Sequence, residues 1–124
     1  MPSTDRVCSL IKRVEQQDYA GAVMHFYHDD ATTQENHGEI RQGRDAILAH
    51  EMEVLLRYGN TPVRKVERFS VNGDLVFVNW QIEVNVPHVG RRMLDEVAMQ
   101  LWSGDRIRTE RFYYDPAQLR TVPT

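Results

Sequence analysis

The chain of 124 residues has one cysteine, Cys8. No internal disulfide can therefore form, and Cys8 falls on a helical stretch with no histidine motif beside it, so it reads as a helix residue without chemistry. No apolar run approaches the ~18 residues that a membrane span requires. The start, Met1-Pro2-Ser3-Thr4-Asp5-Arg6, lacks the basic segment and following apolar block of a secretory signal, and the expectation is a cytoplasmic protein. Positive charge is not in excess either: the formal net charge is -3 and the basic positions are scattered, which argues against a nucleic-acid module. The five histidines show no His-x-x-x-His or paired-acid spacing, so neither a metal nor another cofactor is expected. Repeats, low-complexity tracts and linkers are missing. The length then fits one domain, taken as 1–117, with 118–124 as a frayed tail.

What is present is strong periodicity. From Val71 to Val86 the residues Val76, Val78, Trp80, Ile82, Val84 and Val86 alternate with Asn79, Gln81, Glu83 and Asn85, the two-residue period of a strand with one face on a core. Asn72-Gly73-Asp74 separates this run from another at Val63 to Val71, a hairpin signal. Pro87-His88-Val89-Gly90 and Ser103-Gly104-Asp105 divide off two more runs, Arg91 to Trp102 and Ile107 to Tyr114. The second half is thus an antiparallel meander of four strands.

The first half has helical spacing. Val7, Leu10, Ile11 and Val14 form a stripe over residues 4–17, with Ser3 or Thr4 as cap. Asp18 caps a second helix carrying Tyr19, Ala22, Val23, Phe26 and Tyr27 and ending near His28-Asp29-Asp30. A short strand at Ala31 to Asn36 and an extended piece at Glu39 to Gln42 follow. Arg44 to Tyr58 returns to helical period, with Ile47, Leu48, Met52, Leu55 and Leu56 on one side and Gly59 as the residue after its end. The pattern predicts the α+β class: a curved antiparallel sheet wrapped around about three N-terminal helices, cone-shaped, with an internal pocket.

The order of these elements, together with Asp18-Tyr19-Ala20-Gly21-Ala22, His28-Asp29-Asp30-Ala31-Thr32, Gly43-Arg44-Asp45-Ala46-Ile47, Gly104-Asp105-Arg106-Ile107 and Tyr113-Tyr114-Asp115, resembles the nuclear transport factor two-like superfamily. The nearest branches are its SnoaL-like polyketide cyclases and ketosteroid isomerases. In the isomerase branch the general base follows an Asp-Asp-Ala-Thr string, and Glu35 matches it. Alternation then puts Thr33, Glu35 and His37 on one face. A one-residue slip would put Gln34 and Asn36 there instead. The branch's oxyanion-stabilising acid has no counterpart, since Val97, or Ala98 with a gap, falls at its place, and its helix-one tyrosine is missing from Val7-Cys8-Ser9-Leu10-Ile11.

In Met93 to Leu101 one face reads Met93, Asp95, Val97, Met99 and Leu101, so Asp95 is a lone carboxylate on an apolar face and a pocket candidate. The expected catalytic set is therefore Glu35 as base, with Asp95 and His37 as groups that orient or protonate. Trp80, Met99, His50 and Tyr27 are the expected ligand-contacting residues, although aromatics at such positions also serve as plain core. Two functions stay open: a cofactor-independent isomerase or cyclase acting on a small apolar, carbonyl-bearing molecule, or a non-catalytic ligand-binding or dimerisation domain. A homodimer is expected from the polar, sheet-pairing face of the Val71 to Val86 strand.

Overall fold

The structure, a computed structural model, describes residues 1–57 and 63–119. In chain order the elements are α1 (Thr4–Glu15), α2 (Tyr19–Phe26), β1 (Tyr27–Glu35), β2 (Ile40–Gln42), α3 (Arg44–Arg57), β3 (Val63–Asn72), β4 (Leu75–Val86), β5 (Gly90–Ser103) and β6 (Arg106–Tyr113), then a short 3-10 turn at Pro116–Leu119. No helix among them is long and apolar enough to cross a membrane. The proposed end residue of α3, Gly59, lies outside the described residues.

Local signals set the helix starts. The Ser3 hydroxyl accepts from the Arg6 amide and the Asp18 carboxylate from the Gly21 amide, each at 3.0 Å, which satisfies amides that have no partner inside the helix. α2 ends earlier than its stripe suggested, because Tyr27 is already extended and His28-Asp29-Asp30 belong to β1. Pairing of β1 with a neighbouring strand overrides the helical period there.

The six strands form one open sheet in the order β2-β1-β6-β5-β4-β3. β3 to β6 run as the expected antiparallel meander, and Gly73 supplies the positive φ (63°) of the first hairpin. The junction of β1 with β6 is parallel, so the sheet as a whole is mixed. That follows from connectivity: β1 enters from α2 at one end of the sheet and β6 arrives from the meander in the same direction. The three helices cover one face, with α1 against α2 and β3, and α3 against α2 and β1.

Between these layers lies the core. Val7, Leu10 and Ile11 of α1 and Ala22, Val23 and Phe26 of α2 meet Val76, Val78, Trp80, Ile82 and Val84 of β4, with Ala98, Trp102 and Ile107 from the next strands. α3 differs from its expected stripe: Ile47 is buried, but Met52 is exposed and Leu56 is 85% exposed. Its inward side is instead Ile47, His50, Glu51 and Val54, spaced i, i+3, i+4, i+7, a second helical stripe that is half polar because it faces a cavity. Gln118 and Leu119, expected to begin the tail, are engaged: Gln118 accepts from the Asp95 amide at 2.9 Å, and Leu119 packs on the core.

Trp80 sits mid-strand, 5% exposed, where truncation removes a large apolar surface that neighbours cannot refill. Trp80→Ala is expected to cost about 3–5 kcal/mol in a denaturant melt. A loss below about 1 kcal/mol would mean that Trp80 contributes little to the core.

Candidate functional site

A cavity of about 200 Å³ opens between the helices and the concave face of the sheet. Strand register arranges its walls in layers. Deepest, Gln100 of β5 pairs with Glu110 of β6. One step up come Glu35 and Phe112, aligned across β1 and β6, with Ala98 of β5 as core beside them. Above them Glu96 lies opposite Trp80, then Ile82 is flanked by Arg64 and Leu94, with Val84 one layer beyond. Alternation at a period of two keeps each strand's inward residues in step.

The floor is a closed polar chain. The Tyr27 hydroxyl donates to Glu110 Oε1, Gln100 Nε2 donates to Glu110 Oε2 at 2.7 Å, and Trp102 Nε1 donates to Gln100 Oε1 at 3.0 Å. Burial pushes the Glu110 carboxyl up to about 7, against the pull of the hydrogen bonds from Tyr27 and Gln100. Tyr27, matched as a ligand-contacting residue in the sequence, thus lines the cavity while holding its floor.

Glu35 lies at the end of β1. Its Oε2 accepts from the Tyr114 hydroxyl at 3.1 Å, and its Oε1 is 3.3 Å from His50 Nε2 and 3.5 Å from an Arg41 nitrogen. Glu35, His50 and Tyr114 all line the cavity. Glu35 also borders a smaller polar recess formed by the β1–β2 turn, so it stands between the interior and solvent.

Glu96 is the group that the sequence reading missed. It is 9% exposed, lines the cavity, and among the described residues nothing hydrogen-bonds its carboxyl. Burial pushes it up to about 8; Arg64 pulls it down, and the carboxylates of Glu110, Glu35 and Glu51 push it further up. The carboxyl therefore holds its proton more tightly than a solvated one and can donate it. Arg64, its side chain 17% exposed, also lines the cavity, its guanidinium stacked 4.3 Å from the Tyr19 ring centroid and 3.5 Å from Glu51 Oε2.

Three sequence assignments are corrected. Asp95 faces away from the cavity: its Oδ1 accepts from Asn79 Nδ2 at 2.7 Å and Gln81 Nε2 at 2.8 Å on the exposed sheet face. Met99 lies on the same outer face, opposite Phe77, and is not a cavity residue. His37 lies beyond the end of β1, because Asn36 takes a positive φ of 51° and breaks the alternation; His37 is exposed against Arg111 at 2.8 Å. The cause on β5 is parity. Val86 pairs with Gly90 across the three-residue turn Pro87-His88-Val89, so even residues oppose even residues, and the inward face of β4 is even-numbered. Glu35, His50, Trp80 and Tyr27 are brought together at the cavity; Asp95, His37 and Met99 are not. Among the described residues no group of three or more His, Cys, Asp or Glu side chains is placed to hold a metal ion.

Two buried carboxyls with raised proton affinity bind more protons in the folded than in the unfolded chain between about pH 4.5 and 8. Stability therefore falls as pH rises through that window. A melting temperature that drops from pH 5 to pH 8, with most of the drop removed in Glu96→Gln, is expected; a flat profile would place Glu96 in contact with solvent.

No protein-family model and no curated protein sequence matches this chain. Solved structures do match its fold. A SnoaL-like protein of Mesorhizobium loti superposes with a TM-score of 0.73 at 24% identity, covering 92% of this chain and 100% of that one. An NTF2-like protein of unknown function from Burkholderia pseudomallei gives 0.81 at 16% identity, with 93% and 92% covered. A ketosteroid isomerase-like fold from Catenulispora acidiphila, solved in complex with trimethylamine, gives 0.80 at 13% identity, with 94% and 90% covered. With helices on one face of this mixed sheet and these superpositions, the chain has the NTF2-like, SnoaL-like fold.

Proposed function

We propose that the cavity is the active site of a cofactor-independent isomerase or cyclase that acts by acid–base chemistry on a small carbonyl-bearing molecule. The observation that carries this reading is the placement of two different carboxyls in adjacent cavity layers: Glu35, fixed by Tyr114 and His50, and Glu96, buried and held protonated. Glu35 takes a proton from the carbon next to the carbonyl, and the electron pair of that C–H bond moves to the carbonyl oxygen. Glu96 donates a hydrogen bond to that oxygen as its charge develops, in a pocket whose apolar walls (Trp80, Ile82, Phe112) leave little competing water. Glu35 then returns the proton to another carbon, or the enolate carbon attacks a second carbonyl in the same molecule, whose C=O π pair moves to its oxygen and takes the proton back from Glu35. The second reading, a ligand-binding domain without catalysis, is favoured by the Catenulispora structure of this fold, which holds a small amine.

Solvent deuterium exchange at the α-carbon of a small cyclic ketone, followed by NMR, separates the two. The exchange is expected to be protein-dependent and to fall about a hundredfold or more in Glu35→Gln. Exchange unchanged by Glu35→Gln would remove the base and leave the binding reading.

The outer face of the sheet supports a homodimer. Phe77, Met93, Val97, Leu101 and Tyr113 are all more than a third exposed there, a patch that a single copy leaves to water. Light scattering is expected to give twice the 14.5 kDa chain mass at micromolar concentration, and Val97→Asp to shift it to one copy. A single-copy mass for the unaltered chain would rule out this interface.

A further inference from the structure

The charges around Arg64 are not accounted for by the acid–base pair. Arg64 enters from the start of β3, and its side chain is only 17% exposed. A guanidinium carries five N–H donors. Among the described residues the single acceptor for them is Glu51 Oε2, at 3.5 Å, well beyond the ~2.7–2.9 Å of a good charge-assisted bond. One face of the guanidinium is covered by Tyr19, which fixes its plane, so the unpaired donors lie along an edge in that plane. Nε and Nη2, which make no hydrogen bond among the described residues, are not sealed from open space, and the residue lines the cavity. A buried, oriented fork of donors with so little accepted is matched by a planar group with two acceptor oxygens.

Resting on the acid–base reading above, we propose that the substrate is a small oxo acid whose carboxylate docks on Arg64 while its carbonyl reaches Glu96. The placement of the two groups supports this. Arg64 pairs with Ile82 on one side of β4, and Glu96 pairs with Trp80 on the other, one inward layer away. Their side chains converge on the same cavity, where the Arg64 charge acts on the Glu96 carboxyl. Volume agrees: about 200 Å³ holds roughly seven waters at their liquid volume of ~30 Å³ each, or one molecule of that size. Glu51 keeps the guanidinium charged and in place. Burial works against the charge of Arg64, but Glu51, Tyr19 and Glu96 outweigh it.

The test uses the full chain and three probes: 4-oxopentanoate, its uncharged methyl ester, and tetramethylammonium, each titrated by NMR. The carboxylate is expected to bind about tenfold or more tighter than the ester. Their ratio should fall to about one in the double variant Glu51→Gln with Arg64→Met, which leaves no unpaired buried charge. If that variant does not fold, Arg64→Lys, which keeps the charge but not the fork, should still narrow the ratio several-fold. A second readout is pH. Glu96 faces Arg64 of β3, Glu110 of β6, Glu35 of β1 and Glu51 of α3, and shares the cavity with Tyr19 of α2, Tyr27 of β1, His50 and Arg57 of α3 and Tyr114 just after β6. Carboxylate affinity should therefore weaken as pH rises through about 8, where Glu96 gains charge, while ester affinity changes less. Equal binding of carboxylate and ester, or preference for tetramethylammonium, overturns the oxo-acid proposal and leaves the acid–base pocket standing. If no probe perturbs the cavity residues, the small-molecule reading of the pocket fails along with it.

Discussion

The hydrogen-bonded register between β4 and β5 is the constraint on which the rest of the cavity depends. It seats Glu96 opposite Trp80 and Gln100 opposite Val76, and through β6 it seats Glu110 beside Gln100. Shift the pairing by one residue and both glutamates would turn to solvent, while Asp95, Val97 and Met99 would line the interior. The cavity would then hold Asp95 beside Glu35 and Glu51, with no Glu96 and no braced floor. The three-residue turn between the strands, with Val89 N donating to Val86 O at 3.0 Å, is what fixes the parity.

That register carries an energetic cost, unevenly met. Glu110 is fully buried but accepts from both Tyr27 and Gln100, so its desolvation is offset by hydrogen bonds and the group acts as a braced floor. Glu96 has no such support and meets the cost by keeping its proton. Folding alone would be better served by an apolar residue at that position, as at Ala98 two residues on. A carboxyl kept neutral, without partners, in a pocket wall next to the Glu35–His50–Tyr114 cluster is the arrangement expected where proton affinity has a task.

Both faces of the meander are apolar in part, for different reasons. The inner face of β4 and β5 builds the core and the cavity; the outer face exposes Phe77, Val97 and Leu101 around the hydrogen-bonded set of Asn79, Gln81 and Asp95. A strand that is amphipathic in the ordinary sense shows which side is wet. β5 does not, because its outer positions are the more hydrophobic ones.

Sequence periodicity by itself determined the elements, their order and the helix starts, since each depends on residues within a few positions of one another: a cap at Ser3 or Thr4 and one at Asp18, the Gly73 hairpin, the alternation of Val76 to Val84. It also placed Glu35, through a string of adjacent residues, at the end of a strand that reaches the cavity. Tertiary structure alone decided which face of β5 is inside, because that choice is made by hydrogen bonds to β4 and not by the pattern of β5. It decided as well that α3 turns His50 and Glu51 inward in place of Met52 and Leu56, and that β1 joins β6 in parallel. In each case the local pattern was compatible with two arrangements, and pairing across the sheet, or the polar cavity that the sheet encloses, selected one.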